Sequence, residues 1–195
     1  MPKKETIKMQ SFACDDAINS ADDMTINGGS VFAYSTGNDG LDANGNLYIR
    51  GGLIYAIGTS TPELAIDANT EGGKKLYITG GTIVAIGGLE SGASLSQNCY
   101  YTSSWTKNTW YALKYGNNTI AFKTPSGGGS NLIVSAAETP FLLSGVTVSG
   151  GNEFFSNAVY SAASISGGES VSLSAYSGSS MGFGGGPGGF SGGGW

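Results

Sequence analysis

The sequence predicts an all-β fold, specifically a right-handed single-stranded parallel β-helix with coils of about 23–29 residues. Two observations carry this prediction. The chain has 34 Gly, only five Pro and only 12% charged residues among its 195 residues, a composition that favours short strands joined by tight turns. A Gly-Gly motif also recurs at long period with similar flanking sequence, and no helical segment lies between its copies.

The Gly-Gly motif occurs in three segments, MTINGGSVFAYS from Met24, LYIRGGLIYAIG from Leu47 and LYITGGTIVAIG from Leu76. Side chains alternate along a strand, so equivalent positions should form inward columns in a stack of coils. The predicted columns are Met24/Leu47/Leu76, Ile26/Ile49/Ile78, Val31/Ile54/Ile83 and Ala33/Ala56/Ala85. Fainter copies, VTVSGG and SISGG, predict that the coils continue toward the C-terminus. A β-sandwich built from hairpins is the alternative.

The predicted organisation has three parts: an N-terminal lead-in over residues 1–13, the β-helix over 14–177 and a Gly-rich tail over 178–195. The start MPKKETIKMQ lacks the apolar core of a signal peptide, and no stretch approaches the ~20 apolar residues of a membrane span. If the natural protein is exported, we expect this chain to be a mature form or an excised domain.

Charge and composition exclude several classes of function. The net charge of −5 and a single arginine, Arg50, argue against nucleic-acid and anionic-lipid partners. The chain has no histidine, which removes the commonest general base and the usual ligand of zinc, copper and iron. Cys14 and Cys99 lack metal-site spacing and are predicted to be buried free thiols, with a disulfide as the alternative.

Acidic residues repeat at the period of the coils. All seven aspartates lie between positions 15 and 67, and DDAIN, NDGLD and ELAID precede successive repeated strands. Stacked carboxylates about 5 Å apart repel by roughly 3 kcal/mol at an effective dielectric of about 20, so a cation would stabilise them. Ca²⁺ accepts carboxylate, amide and carbonyl oxygens in irregular geometry. The predicted ligands are Asp15, Asp16, Asn19, Asn38, Asp39, Asp42, Glu63 and Asp67. Alternatively, these residues only form turns.

The elements DDAINS, NDGLDANGNLYIRGG and LYITGGTI, followed by a Gly-rich tail, resemble a family of bacterial secreted carbohydrate-binding β-helix proteins. The resemblance implies a pectate-lyase-like fold, bound calcium and a non-catalytic polysaccharide-binding role outside the cell or at its surface. The matching calcium positions are Asp15, Asp16, Asp39, Asp42 and Asp67. The third repeat departs from the motif, because Glu63 and Leu64 replace its acidic pair.

Outward aromatic residues are the candidate contacts for a polysaccharide, with acidic pectin-like chains among the candidates. The predicted ligand-binding residues are Tyr48, Tyr55, Tyr77, Trp105 and Trp110. For the apolar band that includes Phe32 and Tyr55, the alternative is that a later segment covers it.

Two other functions stay open. The ends of a solenoid carry unpaired strands, which would allow end-to-end self-association into a filament or surface layer. An enzyme would be a glycoside hydrolase using two carboxylates among Asp16, Asp39 and Asp42, or a calcium-dependent lyase. The lyase would need a base, for which Arg50, Lys74 and Lys75 are the candidates.

Overall fold

The computed structural model describes residues 7–60, 62–155 and 157–178, and the regular structure of these residues is all β-strand. The strands form four sheets. The mixed sheet contains, in spatial order, β1 (Lys8–Ala13), β4 (Ser30–Ser35), β7 (Leu53–Ile57), β9 (Thr82–Ile86), β14 (Leu132–Ser135), β11 (Cys99–Thr102) and β19 (Ser174–Tyr176). The small parallel sheet contains β10 (Ser94–Leu95), β8 (Leu76–Ile78), β6 (Leu47–Ile49) and β3 (Met24–Ile26).

The other two sheets differ in pairing. The antiparallel sheet contains β16 (Asn152–Phe155), β17 (Val159–Ser161), β13 (Asn118–Lys123), β12 (Trp110–Tyr115), β15 (Phe141–Ser149) and β18 (Ser164–Val171). The strand pair contains β2 (Ile18–Ser20) and β5 (Leu41–Ala43). We call strands β1–β10 the parallel region and strands β11–β19 the antiparallel region.

The predicted columns are confirmed in the parallel region. Met24 pairs with Leu47 and Leu47 with Leu76, while Ile26, Ile49 and Ile78 are aligned in the same sheet. In the mixed sheet, the Val31/Ile54/Ile83 and Ala33/Ala56/Ala85 columns are in register as well. These side chains form one apolar core between the two sheets. The Gly-Gly motif joins the sheets, and its second glycine has a positive φ in each copy, at Gly29, Gly52 and Gly81.

The prediction of a single parallel β-helix is wrong, because the strands form separate mixed and antiparallel sheets. After β9, the mixed sheet continues through β14, which pairs antiparallel to β9, and then through β11 and β19. The supposed late coils at Val146 and Ser164 belong to β15 and β18, which pair antiparallel. The physical reason is a hairpin: WYALKY and NTIAFK flank the two-residue turn Gly116–Asn117, a strong local signal for antiparallel pairing.

The central strands of the mixed sheet, β4, β7, β9 and β14, are buried on both faces. One face contributes to the core shared with the small parallel sheet, and the other packs against the antiparallel sheet. Phe32 and Tyr55 lie in this second core and are 4% and 1% exposed, so their predicted outward position is wrong and the alternative of a covering segment is confirmed. Continuous apolar runs such as LIYAI and TIVAI are typical of strands covered on both faces.

The remaining expectations concern the N-terminal lead-in, the two cysteines and the Gly-rich tail. Residues 8–13 of the predicted lead-in form β1, which pairs with β4 in parallel. Cys14 and Cys99 are both free thiols, but Cys14 is exposed rather than buried. Of the predicted Gly-rich tail, residues 179–195 lie outside the described residues. The described part of the chain contains no helix long and apolar enough to cross a membrane.

Candidate functional site

Parallel pairing aligns acidic residues on neighbouring strands. Asn19 pairs with Asp42 in the strand pair, and isolated bridges join Leu41 to Ile66 and Ile66 to Leu89. Each of these apolar residues points into the core, and each is followed by an acidic residue in the sequence. Asp42, Asp67 and Glu90 are therefore stacked next to one another, at the strand spacing of about 4.8 Å.

Three carboxylates converge at this column. Asp39, Asp42 and Asp67, which we call the acidic triad, each offer an oxygen, and these oxygens all lie within 4.8 Å of one another. Two ligands of one calcium ion, each at about 2.4 Å from it, are at most about 4.8 Å apart. Asp39 is buried, whereas Asp42 and Asp67 are half-buried. The triad therefore fits one hard cation by distance and by donor chemistry.

The electrostatics of the acidic triad disfavour ionised carboxylates in the metal-free protein. Burial, together with the charges of Glu63, Asp16 and Asp42, raises the pKa of Asp39 to about 7, against a lowering by the hydrogen bond that Leu64 N–H donates to it. Burial and the charge of Asp16 raise the pKa of Asp42 to about 6. Near neutral pH, Asp39 and Asp42 are therefore partly protonated, unless a bound cation takes the place of the protons.

Asp67 is the most perturbed member of the acidic triad. Burial raises its pKa strongly, and a hydrogen bond with Glu90 and the charge of Glu90 act in the same direction. Glu90 is itself buried and accepts hydrogen bonds from Ser91 N–H (2.6 Å), Ser91 Oγ (2.9 Å) and Thr70 Oγ1 (3.2 Å). Glu90 is thus held against Asp67, where its charge favours the protonated form of Asp67.

The remaining predicted ligands surround the acidic triad or lie beside it. Asn19 Nδ2 donates to Asp42 and, at 3.1 Å, to Asp16, while Asp16 Oδ1 accepts from Asp39 N–H at 3.2 Å. Asn38 Nδ2 donates to Asp15 Oδ1 at 3.0 Å, which makes these two a separate hydrogen-bonded pair. Aligning DDAIN with NDGLD predicts that Asp15 lies beside Asn38, Asp16 beside Asp39 and Asn19 beside Asp42, and all three pairs are found. Only the last column, which Asp67 continues, supplies two members of the triad.

Glu90 is the acidic residue that sequence reasoning missed. It occupies the fourth position of the column Asn19/Asp42/Asp67, and a signal existed. The dipeptides Ile18-Asn19, Leu41-Asp42, Ile66-Asp67 and Leu89-Glu90 share the pattern of a core aliphatic residue followed by a polar one. Leu89-Glu90 follows shortly after the third Gly-Gly repeat, where the next copy of this pattern is expected.

Tyr48 and Tyr77 come together on the outer face of the small parallel sheet. Their ring centroids are 4.9 Å apart with an interplanar angle of 11°, so they stack along the direction of strand pairing. The guanidinium of Arg50 lies 5.0 Å from the centre of the Tyr48 ring. Both tyrosines are half-buried.

The other predicted aromatic contacts are placed differently. Tyr55 is in the core between the mixed and antiparallel sheets, where it donates a hydrogen bond to Lys123 O at 2.8 Å, and it cannot meet a ligand there. Trp105 is half-buried against the same core and donates to Gly129 O at 3.3 Å. Trp110 is half-buried on the antiparallel sheet, 5.7 Å from the Tyr160 ring. The predicted aromatic residues therefore do not form one surface.

Comparisons with protein-family models, with curated proteins and with solved structures found no match. The resemblance to secreted carbohydrate-binding proteins stays a prediction. The roles of individual residues in this chain rest on their positions, burial and charge.

Proposed function

We propose that the protein is a calcium-binding, non-catalytic module that binds polysaccharide at the cell surface or outside the cell. The acidic triad carries this proposal, because Asp39 and Asp42 of one repeat and Asp67 of the next each offer an oxygen, and these oxygens lie within 4.8 Å of one another. Partly buried carboxylates this close together repel one another, so the arrangement is unfavourable unless the repulsion is offset. A divalent cation would offset it and would cross-link the strands that supply the ligands.

Calcium is the favoured ion among divalent cations. The triad combines carboxylates from strands and loops, with the Asn19 amide and the Asp16 carboxylate next to it. Such an irregular set of oxygen donors suits the six to eight ligands of Ca²⁺, whereas Mg²⁺ requires a tight octahedron. The described residues bring no thiolate into the triad and the chain has no histidine, so softer metals lack their preferred donors.

Polysaccharide binding is supported by the Tyr48 and Tyr77 pair on a hydroxyl-rich surface. Aromatic rings with polar neighbours suit sugars, which present C–H patches beside hydroxyl groups. The outer face of the small parallel sheet also carries Thr25, Thr79 and Ser94. The acidic triad lies on β5 and the segments beside it, in the same repeats that carry the tyrosines on β6 and β8, so ion binding would stiffen the repeats that present the surface to the sugar.

Calcium titration of protein freed of metal tests the first half of the proposal. We expect Ca²⁺, and not equal Mg²⁺, to raise the melting temperature, and Asp67→Asn and Asp42→Asn to weaken calcium binding about tenfold or more. Asp22→Asn is the matched control, because Asp22 is exposed outside the triad. If calorimetry detects no calcium binding, or if Asp22→Asn weakens it equally, the proposed site is wrong.

Affinity electrophoresis in soluble polysaccharides and co-sedimentation with insoluble ones test the second half. Polysaccharide binding should weaken in EDTA and in Asp39→Ala, because the ion would hold the repeats that carry the tyrosine pair in register. Affinity for every polysaccharide that is unchanged in EDTA would refute the coupling. New reducing ends, or unsaturated products from pectin-like substrates, would instead support the hydrolase or lyase alternative.

A second candidate function, self-association, is favoured by one end of the parallel region. The first strands β1, β2 and β3 are each at a sheet edge, and Ile7 and Met9 are 76% and 49% exposed there. Beside them is a cavity of about 430 Å³ lined partly by Met9, Met24 and Ile26. An open edge with apolar side chains is able to add strands of a second copy.

Electron microscopy and sedimentation equilibrium test self-association. Assemblies longer than one chain should form with rising concentration, and Met9→Lys should abolish them because a charge on the edge opposes strand addition. A monomer at all concentrations, with and without calcium, would exclude this candidate.

A further inference from the structure

A polar cleft opens where the small parallel sheet meets the antiparallel region. Its volume of about 730 Å³ is within the range of about 300–1,000 Å³ typical of small-molecule sites. One wall consists of Thr79 and residues 96–98, and the other of residues 136–139. Gly116 lies between the walls, and the Glu138 carboxylate lies so close above it that a Cβ at Gly116 would collide with the carboxylate.

The cleft offers hydrogen-bonding groups that the fold itself does not use. The Gln97 amide is occupied, because it donates to Gly81 O and Ser135 Oγ at 2.8 Å each. The exposed Ser96, Asn98 and Thr139 side chains form no hydrogen bond within the described part of the chain. These three side chains therefore offer hydrogen-bond donors and acceptors to the cleft, beside the Glu138 carboxylate.

An aromatic face lies next to the cleft. One face of the Tyr77 ring stacks on Tyr48, and on its other side the paired residue is Ser94, whose small side chain leaves that face open. Thr79 is two residues beyond Tyr77 on the same side of β8, about 7 Å away, and forms part of the cleft wall. The Tyr77 ring therefore lies beside the wall of the cleft that Thr79 forms.

We propose that Tyr77 and this cleft form a subsite for an uncharged sugar residue of a polysaccharide. The C–H face of the sugar ring stacks on Tyr77, and its hydroxyl groups bond to Asn98, Ser96 and the Glu138 carboxylate. Glu138 is the one charged residue of the lining, and the chain carries −5 overall, so the cleft disfavours uronic acids. The inference rests on the proposed polysaccharide-binding function and adds its place and its preference for uncharged chains.

The test is an NMR titration of the calcium-saturated protein with cellohexaose, xylohexaose, mannohexaose and hexagalacturonate. At least one uncharged hexasaccharide should shift the amide signals of Thr79, of residues 96–98 and of residues 137–139, whereas hexagalacturonate should not. Tyr77→Ala and Asn98→Ala should each weaken binding about tenfold, since each removes a stacking contact or a hydrogen bond. Ser96→Trp should block the cleft and abolish binding.

The matched control is Ser166→Trp, which makes the same change at an exposed position of β18 outside the cleft lining. Unchanged affinity in Ser96→Trp and Asn98→Ala, or signal shifts confined to another surface, would overturn the subsite and leave the polysaccharide function intact. Hexagalacturonate bound in the cleft would overturn the preference for uncharged chains. If no hexasaccharide and no polymeric polysaccharide binds, the proposed function fails and the subsite fails with it.

Discussion

The parallel and antiparallel regions share one mixed sheet, but they differ in how the sequence specifies strand pairing. In the parallel region, each strand pairs with its equivalent in the next repeat, such as Leu47 with Leu76. In the antiparallel region, pairing follows hairpins and long-range returns, such as Cys99 with Tyr176. The two modes meet where β14 pairs antiparallel to β9. A repeat thus determines register only as far as the repeat extends.

The difference also explains where the charges accumulate. Parallel in-register pairing brings equivalent residues side by side, so an acidic residue in one repeat meets an acidic residue in the next. All seven aspartates are in the parallel region, and the acidic triad follows from their alignment. Antiparallel pairing does not align equivalent residues of a repeat, as where Lys114 pairs with Phe141. Stacked repeats are therefore a direct route to a cation site.

Replacing Tyr55 with Ala should have the largest effect, because Tyr55 links the two regions. Its ring stacks on Phe32 at 5.0 Å and meets Phe122 of the antiparallel sheet edge-on at 5.7 Å. We expect a loss of about 3–5 kcal/mol in the free energy of unfolding, as for other buried aromatic residues. Urea unfolding followed by tryptophan fluorescence measures it, since Trp105 and Trp110 report on the antiparallel region.

Tyr55→Phe is the control for this change. It keeps the ring and removes the hydrogen bond to Lys123 O, so the expected loss is about 1 kcal/mol. If Tyr55→Ala costs no more than Tyr55→Phe, the packing between the regions contributes little, and the two regions should then unfold in separate transitions.

Replacing a glycine should cost more stability at a stacked Gly-Gly corner of the parallel region than in an antiparallel strand. Gly52 has a φ of 96°, and a Cβ there would lie 2.9 Å from Gly29 O in the neighbouring corner. Gly167 has a φ of 68° but open space around it. We expect Gly167→Ala to cost about 1 kcal/mol for the backbone conformation alone and Gly52→Ala about 2 kcal/mol or more. Equal losses in thermal or urea unfolding would show that the corners are not closely stacked.

The parallel region was largely predictable from the sequence, because its register is encoded in equivalent residues at a fixed spacing. The Ile26/Ile49/Ile78 column and the Asn19/Asp42/Asp67 column both lie as the repeat predicts, and the all-β class is confirmed. Two local signals in the sequence indicate that parallel pairing does not extend through the whole chain. The Gly116–Asn117 turn indicates a hairpin, and the apolar run LIYAI indicates a strand covered on both faces.

The rest was not predictable from local signals. Nothing near Tyr55 in the sequence specifies that Phe122, 67 residues later, covers it. Pairings of this kind depend on the total apolar area that the fold buries and not on spacing. In the same way, the polar cleft joins residues 96–98 to residues 136–139, which lie on loops of different strands. Glu90 is the opposite case, since its repeat position was visible in the sequence.

The pH dependence of protein stability should report on the acidic triad, which lies in the parallel region. Folding raises the pKa of Asp42 to about 6 and that of Asp39 to about 7, from ordinary values of 3.8. The folded protein therefore binds more protons than the unfolded chain above about pH 4. In EDTA, the stabilisation that Asp39 and Asp42 contribute to the folded protein is therefore complete below about pH 4, and it is lost as the pH rises through 6 and 7.

Thermal unfolding in EDTA at several pH values measures this contribution. The melting temperature of Asp42→Asn should exceed that of the parent protein by more at pH 8 than at pH 4, because the amide removes a carboxylate that must otherwise ionise. Saturating calcium should remove or reverse the difference at pH 8. Glu169→Gln, an exposed change in β18, should follow the parent protein at every pH. A parallel pH profile for Asp42→Asn and the parent would contradict the raised pKa values.

The smallest expected effect concerns a single hydrogen bond between the regions. Thr82 Oγ1 of β9 donates to Tyr115 Oη of β12 at 2.8 Å, and both residues are half-buried. Tyr115→Phe should cost about 0.5–1.5 kcal/mol in urea unfolding. Tyr160→Phe removes a hydrogen bond to Asn157 within the antiparallel region, at an exposed acceptor, and should cost less. Equal costs would mean that this bond stabilises the chain no more than a bond confined to one region, so the coupling between the regions would reside in the apolar core around Tyr55.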